Sequence, residues 1–182
     1  MESIDFSYAT LRDIDPIMEM EAHGFASGNR ECREAYEARI RTFPEGSLMA
    51  YFGAECIGCI FSEIWQASAS PLAEYFALGH DILERHDIHH GTELYISSMT
   101  IAPAFRGKGL GTPLLLGCID RVTTAFPQIS SVLLLVNENW KQARNVYQAA
   151  GFQELVRFNH FFNPKDTLFE DGIVMRRLIK ID

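Results

Sequence analysis

Residues 105–111 read FRGKGLG, and TPLLLGCID follows directly. Glycine at 107, 109 and 111 strips side chains from alternate positions, so a ligand can reach the backbone amides. The helix expected to start there leaves its first N–H groups unpaired and turns the positive end of its dipole to the same place. Arg106 and Lys108 add full charges, and Pro113 fits a first helical turn, where its missing N–H costs nothing. Together Arg106, Gly107, Lys108, Gly109, Leu110, Gly111 and Thr112 outline a site for an anion of pyrophosphate size. The glycine spacing matches neither the P-loop nor the dinucleotide fingerprint, which disfavours both of those nucleotide chemistries. The competing reading of such a loop is a tight turn that holds nothing.

Other reactive side chains are less pointed. Cys56 and Cys59 form a C-x-x-C, but no second ligand pair stands at zinc spacing, and the surrounding Ile and Phe predict a strand. Alternation would turn the two sulfurs to opposite faces, as buried core residues. His86, His89 and His90 sit among polar residues before Gly91, which predicts an exposed loop rather than a metal centre. No metal is expected. Tyr147 shares an apolar stripe of helical period with Ala143, Val146 and Ala150, so periodicity alone makes it a core aromatic.

The elements that must carry these residues alternate between helix and strand. Residues 3–9 predict a strand, and 10–25 a helix with Thr10 as cap and Asp13 three residues later. A helix over 31–43 ends at Pro44, and 46–65 predict a hairpin turning at 53–55. Residues 66–92 are polar and loop-like, with a short helix expected at 72–84. A strand over 93–103 leads into the glycine loop. Leu115, Ile119, Val122 and Phe126 then mark a helix, SSVLLLVN a strand covered on both faces, and NWKQARNVYQAAGF a helix capped by Gly151. An antiparallel pair closes the chain around a turn at 163–166. The pattern predicts an α/β fold in one domain, 1–182, without repeats or linkers.

Composition narrows the function. The chain has 182 residues, 47% apolar and 22% charged, as in soluble globular proteins. No apolar run approaches the length of a membrane span, and the acidic first residues lack a signal peptide's basic region, so a cytoplasmic protein without membrane contact is expected. A net charge of −8 argues against nucleic acid and suits a cationic small molecule.

At this point the residues resemble a family. TIAPAFRGKGLGTPLL is similar to motif A of the GCN5-related N-acetyltransferases (GNAT), through Arg106, Gly109 and Gly111. Asn139, Ala143, Tyr147, Gly151 and Phe152 are similar to the family's motif B, with Asn139 one position further from the alanine than usual. The likeness covers nearly the whole chain, its specific signal lying in 93–152. It implies the GNAT fold: a single mixed sheet of about seven strands, flanked by helices, whose parallel central strands splay around acyl-CoA.

The resemblance also implies chemistry. The amides of 106–112 would hold the pyrophosphate of acetyl-CoA, the cosubstrate. The pantetheine arm would lie along the preceding strand near Met99 and Ile101, and Asn139 and Ala143 of motif B would also contact the cosubstrate. An N–H at or next to Met99 would polarise the thioester carbonyl, and Tyr147 would protonate the departing sulfur. The acceptor, a primary amine, must shed a proton. Glu93, reckoned to share a face with Tyr95, Ser97 and Met99, and Glu63 are the candidate bases, against the reading of each as a paired or solvated carboxylate. Acceptor choice would fall to HGFASGNRE and FNHFFNPKD, where His160, Phe161 and Phe162 are read either as lining an apolar mouth or as ordinary hairpin residues. The layout is also similar to the arylalkylamine and small-amine branch, whose His-x-His pair is replaced here by Tyr95 and Ser97. A small amine leads as acceptor; a protein N-terminus or lysine follows, and a non-catalytic acyl-CoA-binding module is the reading from another class. Homodimers are common in the family.

Overall fold

The computed structural model describes residues 4–165 and 168–179. Seven strands, β1 (Asp5–Tyr8), β2 (Ser47–Phe52), β3 (Glu55–Trp65), β4 (Glu93–Ile101), β5 (Ser131–Asn137), β6 (Gln153–Phe162) and β7 (Glu170–Leu178), form one sheet. Its order is β1-β2-β3-β4-β5-β7-β6. All neighbours are antiparallel except β4 and β5. Four α-helices cover it: α1 (Ile14–Gly24), α2 (Arg33–Thr42), α3 (Gly111–Ala125) and α4 (Lys141–Ala149).

Local chemistry sets the element ends. Thr10 and Asp13 close a capping box around a 3₁₀ turn at Leu11–Asp13, which runs into α1. Gly53 at a φ of 62° turns the β2–β3 hairpin, and Gly151 at a φ of 87° ends the last helix. On one face of the sheet α3 buries Leu114, Leu115, Cys118, Ile119 and Val122 against β3, β4 and β5. Each such side chain contributes about 1.5–3 kcal/mol. On the other face Ile14, Ile17, Met20, Tyr36 and Ile40 of α1 and α2 pack on Met49, Cys59 and Phe61.

Two bulges alter the expected faces. Tyr51 pairs with Cys56 and Ala50 with Gly58, so Ile57 is an extra residue. Cys56 and Cys59 therefore both pack against the α1/α2 side, not on opposite faces. In β4, Ile96 pairs with Ser62 and Ser98 with Phe61, which leaves Ser97 without a partner on β3. Tyr95 thus packs with Trp65 and Phe76, whereas Met99 packs on the α3 side with Ile96, so Met99 does not share the face of Glu93 and Tyr95. The helix expected at 72–84 is instead two 3₁₀ turns, Ala73–Phe76 and Ile82–Glu84. The first residue expected in the N-terminal strand, Ser3, and the last of the closing turn, Asp166, lie outside the described residues.

Candidate active site

The site begins where two strands part. β4 and β5 pair from Glu93 and Ser131 only as far as Ile96 and Leu134. β4 then runs on to Ile101 and β5 to Asn137, each held only by its outer neighbour. Ala102 N donates to Ile57 O, so hydrogen-bonded pairs along β3–β4 fall at Thr100 and Ser98. The main-chain N–H and C=O of Met99 and Ile101 consequently point away from β3, into the gap. The Oγ of Ser97 and Oγ1 of Thr100 are buried there with no hydrogen-bond partner among the described residues. A gap lined by free backbone and hydroxyl groups suits an amide-bearing chain.

The glycine loop closes one end. Gly107 and Gly109 have φ values of 73° and 76°, and a Cβ on either would meet nothing within 4 Å. The left-handed backbone, not crowding, requires glycine there. Gly111 opens α3 and lies against α4: a Cβ on it would stand 3.3 Å from Val146 Cγ2. Arg106 is less free than its charge suggested. Its guanidinium donates to the carbonyls of Ile101 at 2.9 Å and His23 at 3.2 Å, tying the end of β4 to the end of α1. The Lys108 ammonium sits 5.0 Å over the Phe105 ring. With both side chains engaged, the loop amides and the helix terminus are the candidate donors to an anion.

From this loop a cavity of about 1200 Å³ runs through the gap to the α1/α2 side of the sheet. That exceeds the roughly 300–1,000 Å³ of an ordinary ligand pocket and leaves space for a long ligand and a second molecule. Its walls include Met99, Ile101, Arg106, Gly107, Gly109, Leu110, Gly111, Thr112, Asn139, Ala143 and Tyr147, but neither Lys108 nor Glu93. Asn139 donates through Nδ2 to Glu170 Oε1 at 2.8 Å, so its amide is already engaged. Tyr147 projects from α4 against Phe152, 9% exposed, and its hydroxyl bonds to no other described residue. Burial pushes this phenol up to about 12, so it stays protonated at neutral pH.

Glu93 lies elsewhere. It is 1% exposed, bound by Arg176 at 2.6 Å and by Ser131 at 2.8 Å. Glu63 is buried too, and accepts from Arg39 at 3.1 Å, Trp65 at 2.9 Å and His80 at 2.9 Å. Burial pushes the Glu63 carboxyl up, but His80 and Arg39 outweigh it and hold it below the usual range. Burial likewise opposes the charge on His80, and the Glu63 hydrogen bond outweighs that, so His80 titrates above its ordinary value.

Sequence reasoning missed most of the groups at the far end of the cavity. Glu21, Tyr36, Arg39 and His80 line it beside Glu31, the last residue of the 23–31 stretch. Arg39 joins Glu31 and Glu63, and Glu31 Oε1 accepts from Gly79 N at 2.8 Å, which fastens the 66–92 segment over the pocket. One signal was present: Glu21 follows Ile14 and Ile17 on the buried stripe of α1, an acid where an apolar residue belongs. Of the two stretches expected to face the acceptor, 23–31 contributes Gly24, Phe25, Gly28, Asn29 and Glu31, and 158–166 contributes Phe161 and Phe162. His160 is exposed, and its amide bonds Asp171. His86 packs 4.5 Å from Phe43 and accepts from Ile64 N, while His89 and His90 are exposed. No helix among the described residues is long and apolar enough to cross a membrane.

Comparison with known proteins agrees with this geometry. The model of the acetyltransferase (GNAT) family matches residues 14–152. No curated protein matches the chain. Among solved structures, the loading GNATL domain of CurA from Lyngbya majuscula is similar over 95% of this chain and 96% of its own (TM-score 0.76, 12% identity). A ribosomal-protein-alanine N-acetyltransferase from Escherichia coli is similar over 98% and 96% (TM-score 0.70, 15% identity). Arabidopsis thaliana Naa50, in complex with a bisubstrate analogue containing CoA, is similar over 96% and 98% (TM-score 0.68, 18% identity). At these identities the likeness concerns the fold. With the family model covering most of the chain, the protein belongs to the acetyltransferase (GNAT) family, and its activity is acyl-CoA-dependent acetyl transfer.

Proposed function

We propose that the enzyme acetylates a primary amine of a small molecule by direct attack on acetyl-CoA, with Tyr147 protonating the departing sulfur. The observation that carries this reading is the continuity of the cavity. It joins the positive-φ glycine loop, the open edge of β4, the Tyr147 phenol and a separate polar pocket beyond the gap.

In this reading the amides of 107–112 and the α3 terminus hold the pyrophosphate. The arm lies along Met99 and Ile101. An N–H of that edge, at or next to Met99, faces the thioester oxygen and stabilises the charge that forms as the amine attacks. Tyr147 gives its proton to the sulfur as the carbon–sulfur bond breaks; the burial that raises the phenol also penalises a free thiolate, so the transfer remains matched. The adduct nitrogen releases its own excess proton, which restores the phenol through solvent.

A small acceptor is favoured by the cover over the pocket. Ala73, Phe76, Ala77, Leu78 and His80 of the 66–92 segment form part of its wall. The buried carboxylates Glu21 and Glu31 of the wall, with Glu63 beside it, outnumber the cations Arg39 and His80, which favours a cationic amine over an anionic acceptor. Where the arylalkylamine branch carries histidines stand Tyr95, its ring stacked 4.0 Å from Trp65, and the bulged Ser97. The test is thiol release from acetyl-CoA across a panel of small amines and N-terminal peptides, beside calorimetric CoA binding. Turnover on small amines is expected. Turnover on peptides alone, or binding without turnover, contradicts the proposal.

A further inference from the structure

A chain of hydroxyls within the cavity wall ends on one buried carboxylate. Ser98 lines the cavity next to the β4 bulge, and its Oγ lies 2.9 Å from Tyr36 Oη. Tyr36 Oη donates in turn to Glu21 Oε2 at 2.7 Å. The other Glu21 oxygen accepts from Glu31 N at 2.6 Å. An ionised carboxylate only accepts, which sets the polarity of the chain: Tyr36 donates to Glu21, Ser98 donates to Tyr36, and the lone pairs of Ser98 are left for a donor in the cavity.

We propose that Ser98, Tyr36 and Glu21 form a proton relay that deprotonates the acceptor amine, with Ser98 touching the ammonium and Glu21 as the terminal base. The inference rests on the amine-acetylation reading above. The ammonium gives a proton to Ser98 Oγ while the Ser98 proton passes to Tyr36 Oη and the Tyr36 proton to Glu21 Oε2. Each hydroxyl ends with one proton as it began, the amine is neutral, and Glu21 holds the proton until it exchanges with solvent.

Glu21 is the buried carboxylate of the wall whose oxygens meet no cation among the described residues; Glu31 is bound to Arg39, and Glu63, next to the wall, to Arg39 and His80. Tyr36 and Arg39 of α2, Glu31 ahead of it, Cys59 of β3 and Ser98 of β4 are the groups that face Glu21 and Tyr36. Burial raises the Glu21 carboxyl, against the hydrogen bonds from Glu31 N and Tyr36. A raised carboxyl is a better base than its charge-paired neighbours. Burial holds the Tyr36 phenol well above its ordinary value, so Tyr36 conducts a proton and does not keep a negative charge. A bond that merely fastened α1 to α2 would have no need of Ser98 or of a cavity at its end.

The test compares wild type with Ser98→Ala, Tyr36→Phe and Glu21→Gln in thiol release at saturating acetyl-CoA, on primary amines of graded basicity, from about pH 6 to pH 9. Each variant is expected to lose about 100-fold or more in kcat/KM at neutral pH. The loss should shrink as pH rises toward the amine's own pKa and should be smaller for weakly basic amines, with KM for acetyl-CoA unchanged. Should Tyr36→Phe fail to fold, the other two variants cut the chain at either end and decide. Wild-type rates and pH profiles in the variants, or losses that stay constant with pH and amine basicity, overturn the relay while leaving the acetyltransferase reading in place. No amine-dependent turnover by wild type overturns both.

Discussion

Ile96 and Leu134 are the last residues at which the two parallel central strands face each other in register. Beyond them the half-buried backbone of Met99 and Ile101 has no partner on that side among the described residues apart from the Arg106 guanidinium on the Ile101 carbonyl. Main-chain groups that lose water without gaining a partner cost about 1–3 kcal/mol each, so a strand edge kept open this way suits a ligand that supplies the missing bonds.

Gly109→Asp tests the anion end. A left-handed aspartate costs about 1–2 kcal/mol of local strain, and nothing lies within 4 Å of the added Cβ, so the fold should survive. A carboxylate about 4 Å from a phosphate charge opposes binding by about 4 kcal/mol at an effective dielectric constant of 20. Calorimetry should show CoA affinity down by about 100-fold or more, with the melting temperature lowered by only about 2–8 °C.

Tyr147→Phe removes a hydroxyl that bonds no other described residue, so stability should hardly change. In steady-state assays kcat should fall about 100-fold or more, with KM for acetyl-CoA unchanged. A variant with full kcat at saturating substrate contradicts the role of Tyr147 as acid.

The His80–Glu63 pair should make stability depend on pH. His80 titrates above its ordinary value of 6.5, so its contribution is complete below 6.5 and is lost as pH rises through the raised value. Glu63 titrates below its ordinary 4.5, so its contribution is complete above 4.5 and is lost as pH falls through the lowered value. Between 4.5 and 6.5 His80→Gln should lower the melting temperature by about 4–8 °C, corresponding to roughly 2 kcal/mol. By about pH 9 the deficit should have shrunk. A deficit that does not vary with pH argues against a charged latch.

Glu21→Gln should separate stability from activity. The folded state holds the Glu21 proton more tightly than the unfolded chain does, so wild type loses stability as pH rises from 4.5 through the raised value. The glutamine variant lacks that loss. Thermal melts should show it equal to wild type near pH 4.5 and more stable at about pH 8. A variant less stable than wild type at both pH values contradicts this account of Glu21.

What the sequence made legible was local. The Thr10–Asp13 capping box, the α3 stripe and the glycines at positive φ are each specified by neighbours in the chain. The bulge at Ser97 was not legible. Alternation counted from Glu93 put Met99 on the face of Tyr95, and one extra residue reversed it. The placement of β7 between β5 and β6 depends on pairings such as Leu135 with Val174, far apart in sequence. Glu93 resembled a catalytic base by its strand position, but its partner Arg176 lies 83 residues away. His80 drew no attention because its partner Glu63 comes from β3, across a segment with no periodic pattern.

A crystal structure with acetyl-CoA or CoA bound tests the central claim most directly. The pyrophosphate should lie on the amides around Gly109, the arm along Met99 and Ile101, and the sulfur within about 3–3.5 Å of the Tyr147 hydroxyl. CoA bound outside the β4–β5 gap, or a sulfur beyond the reach of that hydroxyl, would contradict it.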